Sequence, residues 1–190
     1  YKTAMLYLNK RLEEVKKGIN TELLWILEHP TTYTAGVSFN KKEIIDKKIK
    51  IIKSNRGGKI TLHNPRQKIV YFVIDLNKRK KDIRKLINSI EKSIIEFLRN
   101  YKIQAKNDKK NIGIWVKGKK IAAIGIRVSR WVAYHGCSIN ISNNLNQYLK
   151  IIPCGLDNKK VTSMSNLIDI KPKNFEDNLA KIFIKNINNI

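Results

Sequence analysis

The sequence predicts an α+β domain built on mixed, largely antiparallel sheets with helices at their flanks. Three observations carry this expectation. β-Branched and aromatic runs gather in the middle of the chain, segments with helical apolar spacing flank them, and the two kinds do not alternate in strict βαβ order. A chain of 190 residues fits one domain over 1–190, and its 42% apolar content is enough to fill a core.

The elements follow in order. Met5, Leu6, Leu8, Leu12 and Val15 form a near-helical stripe over Ala4–Val15, which Gly18 ends. Leu23–Leu27 is a short apolar strand stopped by His29-Pro30. The Lys-rich stretch 38–55 reads as a loop or weak helix. Ile69–Leu76 is a continuous apolar strand, buried on both faces. Over Asp82–Tyr101, with Asp82 as N-cap, Ile83, Leu86, Ile87, Ile90, Ile94, Phe97 and Leu98 share one helix face. Ile112–Val116 and Ile121–Val128 form a hairpin around Lys117-Gly118-Lys119, and Trp131–Ile141 pairs with it. Asn143–Lys150 is a polar connection, and Phe175–Ile187 is a closing amphipathic helix.

Composition excludes several classes. The longest uninterrupted apolar run is Ile69–Ile74, far short of the roughly 20 residues of a membrane span. No signal-peptide h-region stands at the N-terminus, and the chain opens at Tyr1 without a Met, as it would if native residues preceded it. The two cysteines, Cys137 and Cys154, make no disulfide framework and no C-x-x-C pair, so a reducing, cytoplasmic setting is expected. Thirty-nine Lys and Arg against fifteen Asp and Glu give +24, which attracts acidic partners or reflects a genome rich in Lys, Asn and Ile codons. The densest run, Lys78-Arg79-Lys80-Lys81, is an anion contact or a solvated turn. No helix-turn-helix, zinc-finger or ribonucleoprotein pattern accompanies the charge, so neither nucleic acid nor membrane is an expected partner.

Four stretches are too rich in Gly, His, Lys and Cys for ordinary core or loop. In Arg56-Gly57-Gly58-Lys59-Ile60-Thr61-Leu62-His63 the paired glycines let backbone approach a ligand, or simply turn into a strand. In Lys119-Lys120-Ile121-Ala122-Ala123-Ile124-Gly125 the apolar context would desolvate Lys120, whereas Lys119 reads as a hairpin-edge lysine in solvent. In Tyr134-His135-Gly136-Cys137 the histidine lines a pocket or is a satisfied core group, and Cys137 reads as a buried inert thiol. In Ile152-Pro153-Cys154-Gly155-Leu156 a thiol stands between a φ-fixing proline and a permissive glycine, a way to present a nucleophile or merely a structural cysteine.

Together and in this order the stretches resemble the lipoyl(octanoyl) transferase family. The similarity runs through LLWILEHPTTYTAG at 23–36, RGGKITLHNPRQ at 56–67, IGIWVKGKKIAAIGIRVSRWVAYHG at 112–136 and IPCGL at 152–156. The resemblance implies an octanoyl-[acyl-carrier-protein]:protein N-octanoyltransferase with the fold of biotin and lipoate protein ligase catalytic domains. It implies a Cys–Lys dyad of Cys154, which carries the acyl thioester, and Lys120. Substrate-contacting loops would fall on Arg56 to His63, on Ala123, Ile124 and Gly125, and on Gly136, Cys137 and Ser138. The implied donor is octanoyl-acyl carrier protein. The implied acceptors are lipoyl domains of 2-oxo-acid dehydrogenase complexes and the glycine cleavage H protein. No cofactor, metal or nucleotide is implied, because the thioester is already activated. An ATP-dependent lipoate ligase on the same fold is the alternative, and it would need no nucleophilic cysteine. The family's usual H-G-P-G-Q reads His63-Asn64-Pro65-Arg66-Gln67 here, and Cys137 stands where a larger apolar residue is common.

Overall fold

The computed structural model describes residues 1–109, 111–153, 160–169 and 175–190. In chain order the elements are α1 (Lys2–Lys16), β1 (Leu23–Leu27), β2 (Thr32–Ala35), β3 (Ile51–Lys53), β4 (Ile60–His63), β5 (Gln67–Asp75), α2 (Ile83–Asn100), β6 (Lys106–Asn107), β7 (Ile114–Val116), β8 (Lys119–Ser129), β9 (Val132–Asn140) and α3 (Phe175–Ile187). A larger sheet has the order β1-β5-β9-β8-β7-β6, antiparallel throughout. A smaller sheet has the order β3-β2-β4, with β2 parallel to β3 and antiparallel to β4. The expected α+β class with mixed, mostly antiparallel sheets is what the chain adopts.

The continuous apolar run of β5 is explained by cover on both faces. Ile69, Tyr71 and Val73 meet Leu8, Leu12 and Val15 of α1. Val70, Phe72 and Ile74 meet the core of α2 and α3, which includes Leu86, Ile90, Ile94, Phe97, Leu179 and Phe183. Each such side chain contributes about 1.5–3 kcal/mol by leaving water. The register of α1 differs slightly from its expected stripe: Ala4, Leu8, Leu12 and Val15 are buried, while Leu6 is 72% exposed. Gly18, at φ +70, follows the helix in a conformation that costs a glycine little. Asp82 caps α2 by accepting from Lys85 N at 3.0 Å.

Three strands had no sequence expectation. β2 is short and Thr-rich, β3 spans three residues of the Lys-rich stretch, and β6 spans two. Part of 38–55 is therefore strand rather than loop. The polar connection Asn143–Lys150 contains a 3-10 turn over Leu145–Lys150, anchored by the buried Tyr148. Among the described residues no helix is long and apolar enough to cross a membrane.

Candidate active site

Register builds the floor of the principal cavity. Directly paired residues share a sheet face, so Ile69, Ser138 and Ala123 form one row across β5, β9 and β8, and Tyr71, Gly136 and Gly125 the next. Gly136 permits the second row: a Cβ there would lie 1.8 Å from Val70 O. Across from this floor runs the Arg56–His63 stretch. In β4 the alternation sends Thr61 and His63 to the cavity and Ile60 and Leu62 to the small-sheet core with Tyr33 and Ile151. Arg56, Gly57, Gly58 and Lys59 complete the wall of a cavity of about 50 Å³. Gly36 lets the small sheet close on this wall, since a Cβ on it would meet Gly58 O at 2.3 Å. Arg56 is buried and braces it, its Nη2 donating to Thr34 O at 2.7 Å and Oγ1 at 2.9 Å.

Of the residues the sequence singled out, Ala123, Ile124, Gly125, Gly136, Cys137 and Ser138 line this cavity with Arg56, Gly57, Gly58, Lys59, Thr61 and His63. Ile60 and Leu62 do not. Cys137 pairs with Val70 and Ile124 in the row that enters the helix-side core, and burial pushes its thiol up, far from nucleophilic range. His135 has φ +70, which breaks the strand's alternation. Tyr134 and His135 consequently both reach Asn55, at 3.0 Å to its Nδ2 and 2.6 Å to its Oδ1.

A second cavity, of about 20 Å³, adjoins the first through shared walls at Thr61, Ala123 and Ser138. That is room for about one water. Lys120, Ala122, Asn140, Tyr148, Pro153 and Val161 complete it. Lys120 is buried, lies 4.9 Å over the Trp115 ring, and donates from Nζ to Ile112 O at 3.0 Å. Lys119 is exposed. A register shift between Ile114 and Trp115 sets Trp115 opposite Lys120. Cys154 and its neighbours Gly155 and Leu156 lie outside the described residues. The chain on either side is anchored: Ile152 N donates to Glu43 O at 2.8 Å, Ile44 bridges Ile151, and Thr162 N donates to Lys120 O at 2.9 Å.

A buried polar chain missed by sequence reasoning links the two cavities. Thr162 O can only accept, so Asn140 turns Nδ2 to it at 2.9 Å and Oδ1 to Gln67. Gln67 Nε2 donates to that oxygen at 2.8 Å and to Tyr148 OH at 3.0 Å. Gln67 Oε1 then faces His63 Nδ1 at 2.9 Å, so Nδ1 carries the proton and Nε2 is left as an acceptor. Burial keeps His63 neutral, its pKa lowered to about 3, and His29, bonded to Tyr71 OH at 2.9 Å, is lowered by burial to about 4. The Gln of the His63–Gln67 motif was the available signal for this chain; Asn140 and Thr162 gave none.

Among the described residues no group of three His, Cys, Asp or Glu could hold a metal ion. The family described as lipoyl protein ligase A/B catalytic domain matches residues 1–184. An octanoyltransferase of Bartonella tribocorum is 40% identical, over 88% of this chain and 74% of that protein. One from Wolbachia pipientis wMel is also 40% identical, over 97% and 93%. Among solved structures, a lipoate-protein ligase A bound with ATP superposes with a TM-score of 0.71 at 13% identity, over 90% of this chain and 72% of that one. A biotin protein ligase from Aquifex aeolicus gives 0.51 at 13%, over 82% and 67%. At such identities the structural likeness is one of fold.

Proposed function

The chain belongs to the lipoyl protein ligase A/B catalytic domain family, and from that premise we propose that residues 1–190 form one catalytic domain that moves an octanoyl group from octanoyl-acyl carrier protein to a lysine of a lipoyl domain. The 2-oxo-acid dehydrogenase complexes and the glycine cleavage H protein supply such domains. The observation that carries the reading is the Lys120 cavity: Pro153, which precedes Cys154 in sequence, lines it together with Lys120. The larger cavity shares walls with the Lys120 cavity, so an acyl tail that enters it places its carbonyl at the lysine end; at about 50 Å³ it must widen to admit eight carbons.

The chemistry explains why a thiol and an ammonium are paired. A free cysteine is only about 3% thiolate at pH 7. The Lys120 ammonium stabilises the thiolate of Cys154, which attacks the donor's thioester carbonyl. The carrier's sulfur leaves with a proton from Lys120 Nζ, and an acyl-Cys154 thioester remains. An incoming lysine is only about 0.04% neutral at pH 7. The now neutral Lys120 amine takes one proton, the freed amine attacks the acyl carbonyl, the attacking nitrogen gives up its second surplus proton to solvent, and Cys154 thiolate departs beside the restored ammonium, leaving the amide. Arg56 to Lys59, Thr61, His63, Ala123 to Gly125 and Gly136 to Ser138 bind the acyl chain through the walls and backbone they contribute, while Ile60 and Leu62 support that wall from the small-sheet core.

Incubation with octanoyl-acyl carrier protein should add about 126 Da to the protein, one acyl group replacing the thiol hydrogen, in intact-mass spectrometry. Cys154→Ser should abolish both adduct and transfer, and Lys120→Ala should cut transfer by about 100-fold or more. Wild-type transfer by Cys154→Ser, or lipoylation strictly dependent on ATP, would overturn the reading.

A further inference from the structure

Beside the cavities lies a surface that the proposed reaction does not yet use. The segment Lys41 to Lys50 is joined to the turn that precedes Pro153: Ile44 bridges Ile151, and Ile45 N and Asp46 N both donate to Lys150 O at 3.0 Å. Ile44 and Ile151 face the small-sheet core, but Ile45 and Leu149 are each 51% exposed. Val37, 64% exposed, is held by its N–H to the O of Arg56, a residue of the principal cavity's wall. Around it stand the exposed Lys41, Lys42, Lys47, Lys48 and Lys50.

The two acids of that segment offset these lysines only in part, Asp46 lying beside Lys48. Glu43 is buried, accepts from Ile60 N and pairs with Lys59; Asp46 pairs with Lys150. Among the described residues the surface therefore combines exposed hydrocarbon with a net excess of positive charge, five exposed lysines against one surface carboxylate. The Lys78–Lys81 run is different: Arg79 is bound to Glu22, and Lys81 lies 5.9 Å over the Trp131 ring. It also follows the far end of β5 from Gln67, about 26 Å along the strand.

We infer that the Lys41–Lys50 and Leu149–Lys150 surface docks the donor, an acidic carrier protein that presents its acyl thioester on a long flexible arm. This rests on the acyl-transfer reading. Charge complementarity selects an acidic body, and Ile45 and Leu149 offer it apolar contact. Position selects the donor over the acceptor. Leu149 is four residues from Pro153, at most about 14 Å along the chain. A long arm spans such an offset, whereas a short lysine side chain requires its domain to sit over the cavity itself.

The test measures binding without turnover, by anisotropy of labelled octanoyl-acyl carrier protein at several salt concentrations. Lys42→Glu with Lys47→Glu should weaken binding at low salt by about tenfold or more and flatten its salt dependence. Lys42→Gln with Lys47→Gln should do so partially, and Ile45→Ser with Leu149→Ser should speed dissociation. Lys78→Glu with Lys80→Glu, an equal change in net charge, should alter affinity no more than about twofold. Equal losses from the two reversed pairs, no loss from the first, or a loss confined to lipoyl-domain binding would each overturn the inference. A wild-type protein that binds the carrier but transfers nothing would instead sink the acyl-transfer reading and leave this surface standing.

Discussion

Gly136 shows how much of the site depends on one missing methyl group. With Val70 O 1.8 Å from where its Cβ would be, no rotamer relieves the clash, and two central strands would have to part. Gly136→Ala should cost about 3 kcal/mol or more in urea unfolding, or leave no folded protein; an unchanged midpoint would show that β5 and β9 pack less closely than described. The sequence flagged Gly136 because glycine beside histidine is conspicuous. It flagged Lys120 for a comparable reason, a cation opening an apolar strand. It could not reveal Asn55, Asn140 or Thr162, whose roles arise from hydrogen bonds across 80, 73 and 22 positions of chain. Arg66 was visible as a departure from the family's glycine but not as a conformation: it takes φ +67, and its N–H donates to Glu28 Oε2 at 2.7 Å.

At the scale of elements, legibility followed length and cover. α2 and α3 are long, have one apolar face, and were read almost to the residue. Removing the Asp82 cap leaves the N–H of Lys85 without its acceptor, so Asp82→Ala should lower stability by about 1 kcal/mol with little effect on transfer, measured by thermal melting and a transfer assay. A change far outside that range would mean that Asp82 does more than cap. β2 and β3 were not legible because few residues carry each and their burial comes from neighbours remote in sequence: β4 and the turn around Tyr148 cover them. Strand alternation in β4 divided a motif that reads as continuous, giving Thr61 and His63 to the cavity and Ile60 and Leu62 to the core.

For the molecule as a whole, the three histidines act together in acid. Burial lowers His29 and His135 to about 4 and His63 to about 3, while an unfolded chain titrates near 6.5. Below about pH 6.5 the unfolded state therefore binds more protons than the fold. Their stabilisation is full above that pH and is lost progressively toward pH 4. The carboxylates of Glu28, Glu96 and Glu176, held low by lysine hydrogen bonds, add to the loss only below about pH 4.5. The urea midpoint should thus fall between pH 7 and pH 5; a flat profile there would contradict neutral, buried imidazoles. The +24 charge was plain from composition, but composition could not say where it matters, because that depends on which lysines have partners.

The floor of Ala123, Gly125, Gly136 and Ser138 has one more consequence. On the acyl-transfer reading, a hydrocarbon tail there would be gauged largely against main chain at the centre of a sheet, which yields far less than a side chain that can swing aside, with Ile69 and Tyr71 the side chains of the same rows. Length discrimination should therefore be steep and adjustable one carbon at a time. Bulk added at Ala123 would shift the preferred acyl group toward hexanoyl, each methylene denied its place costing about 0.8 kcal/mol, or about fourfold in affinity.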